Sequence, residues 1–389
     1  MKHQKAPERP LSRVEIHPVS SRRDLEDFIE VPWAIYRDDP NWIPPLKLER
    51  RLHLSKDKNP YFEHAEAAFW TAWRDGRPVG RISAQVDRAW LEVHGDATGH
   101  FGFLEGLEDP EIFRSLLHTA EDWVRERGMT RITGPYSLSV NDECGLLVDG
   151  FDTPPALMMG HARPYYGPSV EQAGYGKAMD LLAYSMDVAD PLSPRAQKLV
   201  DKMMDDPKLK LRPLDMKRYE EDLHLIVDIF NDAWSQNWGF VPMTEGEIRN
   251  LAKSIKPIIE PEFVCIAEYD GEPAAMTVTL PDVHRMAADL NGKLLPFGWA
   301  KLLWRLKCGQ CDSGRLPLLG VRRKFQSSSQ GAALALGVIN RVYSYHRQHG
   351  KRHAELSWVL ETNRPIQRMI EMVGGVAYKT YRIYEKDLA

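Results

Sequence analysis

The chain repeats itself, and the repeat restricts its possible folds more than any other feature. Asp75-Gly76-Arg77-Pro78 separates two apolar runs, 67–73 and 79–86, the second ending at Asp87. Asp270-Gly271-Glu272-Pro273 separates runs 263–267 and 274–280, ending at Pro281-Asp282. Asp75, Gly76, Pro78 and Asp87 thus recur at one offset of 195 residues. An Asp-Gly pair between apolar runs predicts a hairpin, because those residues accept the positive φ of the tight turn. A second block recurs at an offset of 200, where Gly174, Tyr184 and Asp187 return as Gly374, Tyr384 and Asp387. Each of these glycines follows a short amphipathic stretch and precedes a strand-like run.

One long helix lies between the blocks in each half. Asp109-Pro110 opens the first, with Asp as N-cap and Pro in the first turn. Its apolar face is Phe113, Leu116, Leu117, Ala120, Trp123 and Val124, and Gly128 stops it. The second carries Ala332, Leu336, Ile339, Val342 and Tyr343 and stops at Gly350. Each half then reads strand, helices, hairpin, strand, long helix, strand, short helix, hairpin, a mixed α/β (α+β) order. Pro191, Pro194 and Pro207 punctuate a charged stretch and set the expected domains at 1–195 and 196–389.

Composition fits two such units. The length of 389 residues allows them at roughly 150 residues per domain. Lys and Arg number 51 against 55 Asp and Glu, a net charge of −4, which argues against a dedicated nucleic-acid binder. No apolar run approaches the ~20 residues of a membrane helix, so no stable membrane insertion is expected. The first ten residues are charged and show no secretory signal, and four cysteines make no disulfide framework. The expectation is a cytoplasmic globular protein with small-molecule or peptide partners and no resident metal. Its oligomeric state stays open, a homo-oligomer included.

The segment richest in chemistry follows an apolar strand ending at Leu319, Gly320 and Val321. A polar loop comes next: Arg322, Arg323, Lys324, Phe325, Gln326, Ser327, Ser328, Ser329, Gln330 and Gly331, with the long helix expected from Ala332. A strand entering a small-residue loop at a helix N-terminus can bind an anion, because free amides and the helix dipole point at the ligand. Three consecutive cations add charge suited to phosphates. A capped helix start with a solvated basic edge explains the same residues equally well.

Strand, then Val-x-x-x-x-Gln/Arg-x-x-Gly-x-Gly/Ala, then helix resembles the acyl-CoA pyrophosphate loop of the GCN5-related N-acetyltransferase (GNAT) superfamily. Here the pattern falls on Val321, Gln326, Ser329 and Gly331, with Ser329 in place of the first glycine. Downstream, the strand-like run 355–360, then Asn363, a short helix and Gly374-Gly375 resembles the family's fifth strand, its following Asn and its fourth helix. The resemblance implies two GNAT-like domains, each a mixed, mostly antiparallel twisted sheet flanked by helices. It implies an acyl-CoA, most simply acetyl-CoA, as donor and an amine as acceptor. Residues 319–324, 326–332 and Asn363 would hold the donor, with the backbone at 319–321 meeting the pantetheine and the oxyanion. Many family members carry a Tyr general acid about seven residues after the Asn; here that position is Ile370. Tyr381 and Tyr384 on the next strand are the substitutes, and Glu361 is the candidate acceptor of the amine's proton. The alternative is a non-catalytic acyl-CoA-binding or interaction module.

The first half's equivalent loop is Glu105-Gly106-Leu107-Glu108-Asp109. Three carboxylates there would repel a pyrophosphate, so only the second half is expected to bind it. Other features weigh less. Cys308-Gly309-Gln310-Cys311 has redox or zinc spacing but lacks further ligands and reads as incidental or structural. The insertion 291–315 has an amphipathic pattern in Trp299, Leu302, Leu303 and Leu306 beside Lys301, Arg305 and Lys307. It is expected to pack on the other domain, with a membrane-surface or lid role as the alternative. Aromatics Trp33, Tyr36, Trp42, Tyr61 and Phe62 suggest an ordered loop over a pocket or an aromatic core. The run Asn141-Asp142-Glu143-Cys144 is polar, with acids that make its thiol a poor nucleophile.

Overall fold

The structure, a computed structural model, describes residues 12–308 and 311–388. The charged start of the chain, and Gly309 and Gln310 between the paired cysteines, lie outside the described residues. In the first half the elements are β1 (Glu15–Pro18), α1 (Arg22–Ile35), α2 (Lys47–His53), β2 (Ala65–Arg74), β3 (Arg77–Asp87) and α3 (Arg88–His94). They continue with β4 (Thr98–Gly106), α4 (Pro110–Arg125), β5 (Arg131–Gly134), β6 (Leu146–Asp149), α5 (Tyr166–Gln172) and β7 (Gly176–Asp187). The second half has α6 (Pro194–Met204), β8 (Leu209–Arg212), α7 (Tyr219–Trp234), α8 (Glu245–Ile255), β9 (Val264–Tyr269), β10 (Glu272–Pro281) and α9 (Val283–Met286). It ends with α10 (Gly298–Lys307), β11 (Ser313–Val321), α11 (Ser329–Gln348), β12 (His353–Leu360), α12 (Arg364–Met372) and β13 (Val376–Asp387).

The repeated residues do the same physical work in both halves. Asp75 and Gly76 turn the β2–β3 hairpin at φ 51° and 70°, and Asp270 and Gly271 turn the β9–β10 hairpin at 55° and 84°. Asp87 caps α3 by accepting from the Ala89 amide, and Asp282 caps α9 by accepting from that of Arg285. Gly174 and Gly374 follow the last turns of α5 and α12 at φ 91° and 101°. On α4, Phe113, Leu116, Leu117, Ala120 and Val124 are fully buried, as the helical spacing predicts. Each large apolar side chain among them contributes roughly 1.5–3 kcal/mol by leaving water.

One expected feature differs. Each half ends in one long strand, β7 or β13, instead of a hairpin, because no turn residue interrupts either run. These two strands pair antiparallel with each other, Tyr184 opposite Ala377 and Lys177 opposite Tyr384. β13 also pairs with β5, and β7 with β12. The last strand of the chain therefore completes the first half's sheet, and the first half's last strand completes the second's. The result is one continuous sheet, ordered β1-β2-β3-β4-β5-β13-β7-β12-β11-β10-β9-β8, with β6 on β13. Within it, β4–β5 and β11–β12 are parallel pairs. The remaining pairs are antiparallel.

Candidate functional site

β11 and β12 are in register only from Ser313 opposite His353 to Leu316 opposite Leu356. Pro317 then removes a donor from β11, which parallel pairing cannot spare. Beyond it the strands part, and a cleft of about 390 Å³ opens between 316–321 and 356–360. The Ser357 wall is fixed by Arg315, whose Nε donates to Ser357 Oγ at 2.9 Å and whose Nη2 donates to its carbonyl at 3.1 Å.

Backbone polarity along β11 follows from strand alternation. The Arg322 amide donates to the Ala274 carbonyl next to β10, so residues 318, 320 and 322 address β10. Residues 317, 319 and 321 address the cleft. The carbonyls bear this out: that of Leu319 accepts from Trp234 Nε1 at 3.0 Å, and that of Val321 from Gln326 Nε2 at 2.7 Å. The amides of Leu319 and Val321 are left facing the cleft as a pair of donors, and Pro317 has none.

The loop end of the cleft is lined by Gln326, Ser327, Ser328, Gly331 and Ala332. α11 starts at Ser329, earlier than expected, with Ser328 as N-cap: its Oγ accepts from the Gly331 amide at 3.0 Å. Ser329 is the first helical residue and is not among the positive-φ positions, so the family's glycine is not conformationally required there. The positive φ, 61°, falls on Ser327. Gly331 is required on other grounds, since a Cβ there would lie 2.2 Å from the Phe325 carbonyl oxygen.

The rest of the lining was not legible in the motif. Trp234, Asn237, Trp238 and Phe240 come from the end of α7 and the loop after it, Trp358 from β12, and Ile366, Met369 and Ile370 from α12. Asn363 lines the cleft and caps α12, its Oδ1 accepting from the Ile366 amide at 3.4 Å. Val140 and Asn141 reach in from the first half. The tryptophans and glycine packed into 234–239 were a readable signal for a wall built on an irregular turn. Among the described lining residues there is no Asp, Glu, His, Cys, Tyr, Lys or Arg.

Several expected site residues are placed elsewhere. Arg322 bonds the Pro273 carbonyl and pairs with Asp228, and Lys324 pairs with Glu272, so both are held by carboxylates outside the cleft. The Arg323 amide donates to Asp232 at 2.8 Å, and Gln330 does not line the cleft. Glu361 pairs with Lys177 at 2.7 Å and accepts from the Asp180 amide at 3.1 Å, bracing the β12–β7 junction. Tyr381 and Tyr384 are fully buried in the first half's core; Tyr384 donates to Glu171 at 3.1 Å. Strand exchange explains this, because β13 lies on the far side of β7 from the cleft. The Cys311 thiol donates to the Ser313 carbonyl at 2.9 Å, and Cys308 is exposed and free.

The equivalent gap in the first half is narrowed by its own chain to a cavity of about 100 Å³. After Gly134 the Tyr136 amide donates to the Phe101 carbonyl at 2.8 Å, and a Cβ on Gly102 would sit 1.7 Å from the Tyr136 carbonyl oxygen. The acidic loop is occupied too. Glu105 accepts from the Tyr36 and Tyr166 hydroxyls at 2.7 Å each, and Asp109 caps α4 and pairs with Arg74 at 2.6 Å.

No family model matches the chain. It is 47% identical over 376 residues, 96% of this chain and 98% of the other, to a protein of Caulobacter vibrioides (strain NA1000 / CB15N) named bacterial ceramide synthase. It is 43% identical over 369 residues, 95% of this chain and 94% of the other, to protein YghO of Escherichia coli (strain K12). Among solved structures, a tandem GNAT protein from the clavulanic acid biosynthesis pathway superposes with a TM-score of 0.57 at 12% identity. That match covers 97% of this chain and 99% of the other. This chain has a tandem GNAT-like fold, and it belongs to the family of the Caulobacter vibrioides bacterial ceramide synthase and YghO.

Proposed function

We propose that this chain is an N-acyltransferase that moves the acyl group of an acyl-CoA onto the primary amine of a long-chain amino alcohol, giving a ceramide-type amide. The observation that carries the reading is the cleft at the β11–β12 divergence. Two inward amides line one wall, a small-residue loop at a helix N-terminus closes one end, and the other walls are apolar, amide or hydroxyl. The name of the 47% identical relative supports the acceptor class. In this reading residues 196–389 hold the donor, and residues 1–195 supply part of the acceptor wall through Val140 and Asn141.

The amides at the start of α11 would take the pyrophosphate, as helix N-termini favour anions. The amides of Leu319 and Val321 would hold the pantetheine and the negative charge that develops on the thioester oxygen. A preorganised donor of that kind contributes about 3 kcal/mol to the barrier. Trp234, Trp238, Phe240, Trp358, Ile366 and Met369 suit an acyl chain longer than acetyl, which places acetyl-CoA second. The amine nitrogen attacks the carbonyl carbon, the C–S bond breaks, the amine gives up a proton and the thiolate gains one. With no ionisable lining, the amine's proton would leave along the Asn141 wall. Asp142, next in the chain, has its carboxyl raised by burial.

The lack of an ionisable lining, with Ile370 where a Tyr acid would stand, favours a second reading: an acyl-CoA-binding module without turnover. The test incubates the full chain with palmitoyl-CoA and sphinganine, following CoA thiol release and amide mass. Amide formation supports the transferase. Saturable palmitoyl-CoA binding without amide, across a panel of amines, favours the module. No binding refutes both.

A further inference from the structure

The insertion between β10 and β11 has two parts with opposite behaviour. Its base is wedged into the first half, as expected. Trp33 Nε1 donates to Asn291 Oδ1 at 2.7 Å, and a Cβ on Gly292 would sit 2.7 Å from the Trp33 ring. Its tip is not packed. α10 has no buried residue, and Leu295, Phe297, Trp299, Leu303 and Trp304 are 79%, 78%, 54%, 41% and 56% exposed. Five of the fourteen large exposed hydrophobics of the described chain thus fall within ten residues, where a random scatter would leave them single.

The helix has a defined inner side. Lys301 and Arg305, one turn apart, both reach Asp289, and Arg305 also donates to the Met286 carbonyl. At ~100° per residue, Trp299 and Leu303 lie opposite that anchored side, with Trp304 on the flank. The apolar face therefore points outward because the polar face is tied down.

Charge selects the occupant. Residues 291–308 hold Lys293, Lys301, Arg305 and Lys307 and no carboxylate, in a chain of net charge −4. Lys293 and Lys307 are exposed. α2 adjoins this insertion, its Lys47 amide donating to the Gly292 carbonyl at 3.0 Å. It adds exposed Leu48 (51%) and Leu52 (44%), with exposed Lys56 and Lys58 just beyond it. Lysine is depleted from protein interfaces, whereas Trp, Leu and Lys together on one short helix are the composition of a helix lying in a lipid headgroup layer.

We propose that 293–307, with α2 beside it, docks this protein onto an anionic lipid bilayer. The aromatic and leucine side chains would enter the headgroup boundary, and the lysines would meet the lipid phosphates. No helix of the described chain is long and apolar enough to cross a membrane, so this contact is peripheral and reversible. The proposal concerns where the protein sits and does not depend on the acceptor's identity.

The test is co-sedimentation of the full chain, without donor or acceptor, on phosphatidylcholine vesicles with and without ~30% phosphatidylglycerol. The expected result is binding to the anionic vesicles that weakens with salt. The F297Q/W299Q/W304Q variant should bind at least about tenfold more weakly. K293E/K307E should weaken binding to anionic vesicles alone. V376S, which shortens a side chain 66% exposed outside the patch, should bind as wild type. Wild-type protein that ignores anionic vesicles, or a triple variant that still binds them fully, overturns the proposal. So does self-association through the patch, seen as a triple variant that becomes monomeric while wild type never sediments with vesicles. Any of these results leaves the cleft reading untouched, because no transfer is measured.

Discussion

Replacing Gly331 with alanine tests the donor loop with the smallest change available. The added Cβ would lie 2.2 Å from the Phe325 carbonyl oxygen and 2.9 Å from its carbon. That is ~1 Å inside the ~3.3 Å at which a carbon and a carbonyl oxygen meet. Both atoms are backbone, so relief requires the 323–328 turn to shift by about that distance relative to α11. A shift of this size would stretch the Ser328 Oγ bond to the residue 331 amide, now 3.0 Å, and cost about 1 kcal/mol of cap stability. It would also misdirect the loop amides proposed to meet the pyrophosphate. Losing two charge-assisted hydrogen bonds at ~1.5–3 kcal/mol each raises Kd for CoA by a hundredfold or more. Calorimetric titration with CoA reads this, and a melting curve shows that the fold survives. Gly331→Asp adds a like charge and should abolish binding. If Gly331→Ala binds CoA within about threefold of wild type, the loop is not the pyrophosphate site and the reasoning fails.

Tyr381→Phe and Glu361→Gln should both retain acyl transfer, because neither residue lines the cleft. The Tyr381 hydroxyl is buried with no hydrogen-bond partner among the described residues, so its removal should leave stability equal or higher. A hundredfold loss of kcat in either variant, with an unchanged melting temperature, would restore them as catalytic groups. Arg322→Ala should change CoA affinity by less than about threefold, since its side chain serves Asp228 and Pro273; titration checks this. His64 bridges Asp87 at 2.8 Å and Glu247 of the second half at 3.4 Å. Burial opposes its charge, but the two carboxylates outweigh burial and raise it from 6.5 to about 10. Its folded pKa lies above the unfolded one, so its stabilisation is complete below pH 6.5 and fades as pH rises through 10. After discounting for solvent, about 2 kcal/mol should be lost across that window in wild type and not in His64→Gln. Parallel denaturation curves at pH 6.5 and 10 that show equal losses in both proteins would remove His64 from this role.

What the sequence made legible was the part governed by local chemistry. Asp-Gly turns, the Asp cap at 109, and the glycines at 174 and 374 answer to φ and to neighbouring amides, so their roles could be stated residue by residue. The expectation that the first half would not take a pyrophosphate also had a local cause, the carboxylates before α4. The narrowing of the gap behind them was invisible, because Tyr136 meets Phe101 only in the folded sheet. Long-range pairing set the rest. Nothing in residues 376–387 says that this strand lies between β5 and β7, and that exchange removes Tyr381 and Tyr384 from the cleft. Arg322 and Lys324 read as free cations because their partners Asp228 and Glu272 are 94 and 52 residues away. The exposed tip at 295–304 reads from its pattern as a helix packed on the other domain, with a membrane-surface or lid role as the alternative. Only the fold shows that its polar side is the anchored one.

The central claim is that one cleft per chain, between the parting strands β11 and β12, holds the acyl-CoA. A crystal structure of the full chain with a non-transferable palmitoyl-CoA thioether tests it directly. The account predicts one ligand, its pyrophosphate against 326–331, its pantetheine along Leu319 and Val321, and its alkyl chain against Trp234 and Trp358. Nothing should lie between β4 and β5. Ligand between β4 and β5, or a pyrophosphate held away from Gly331, would contradict it.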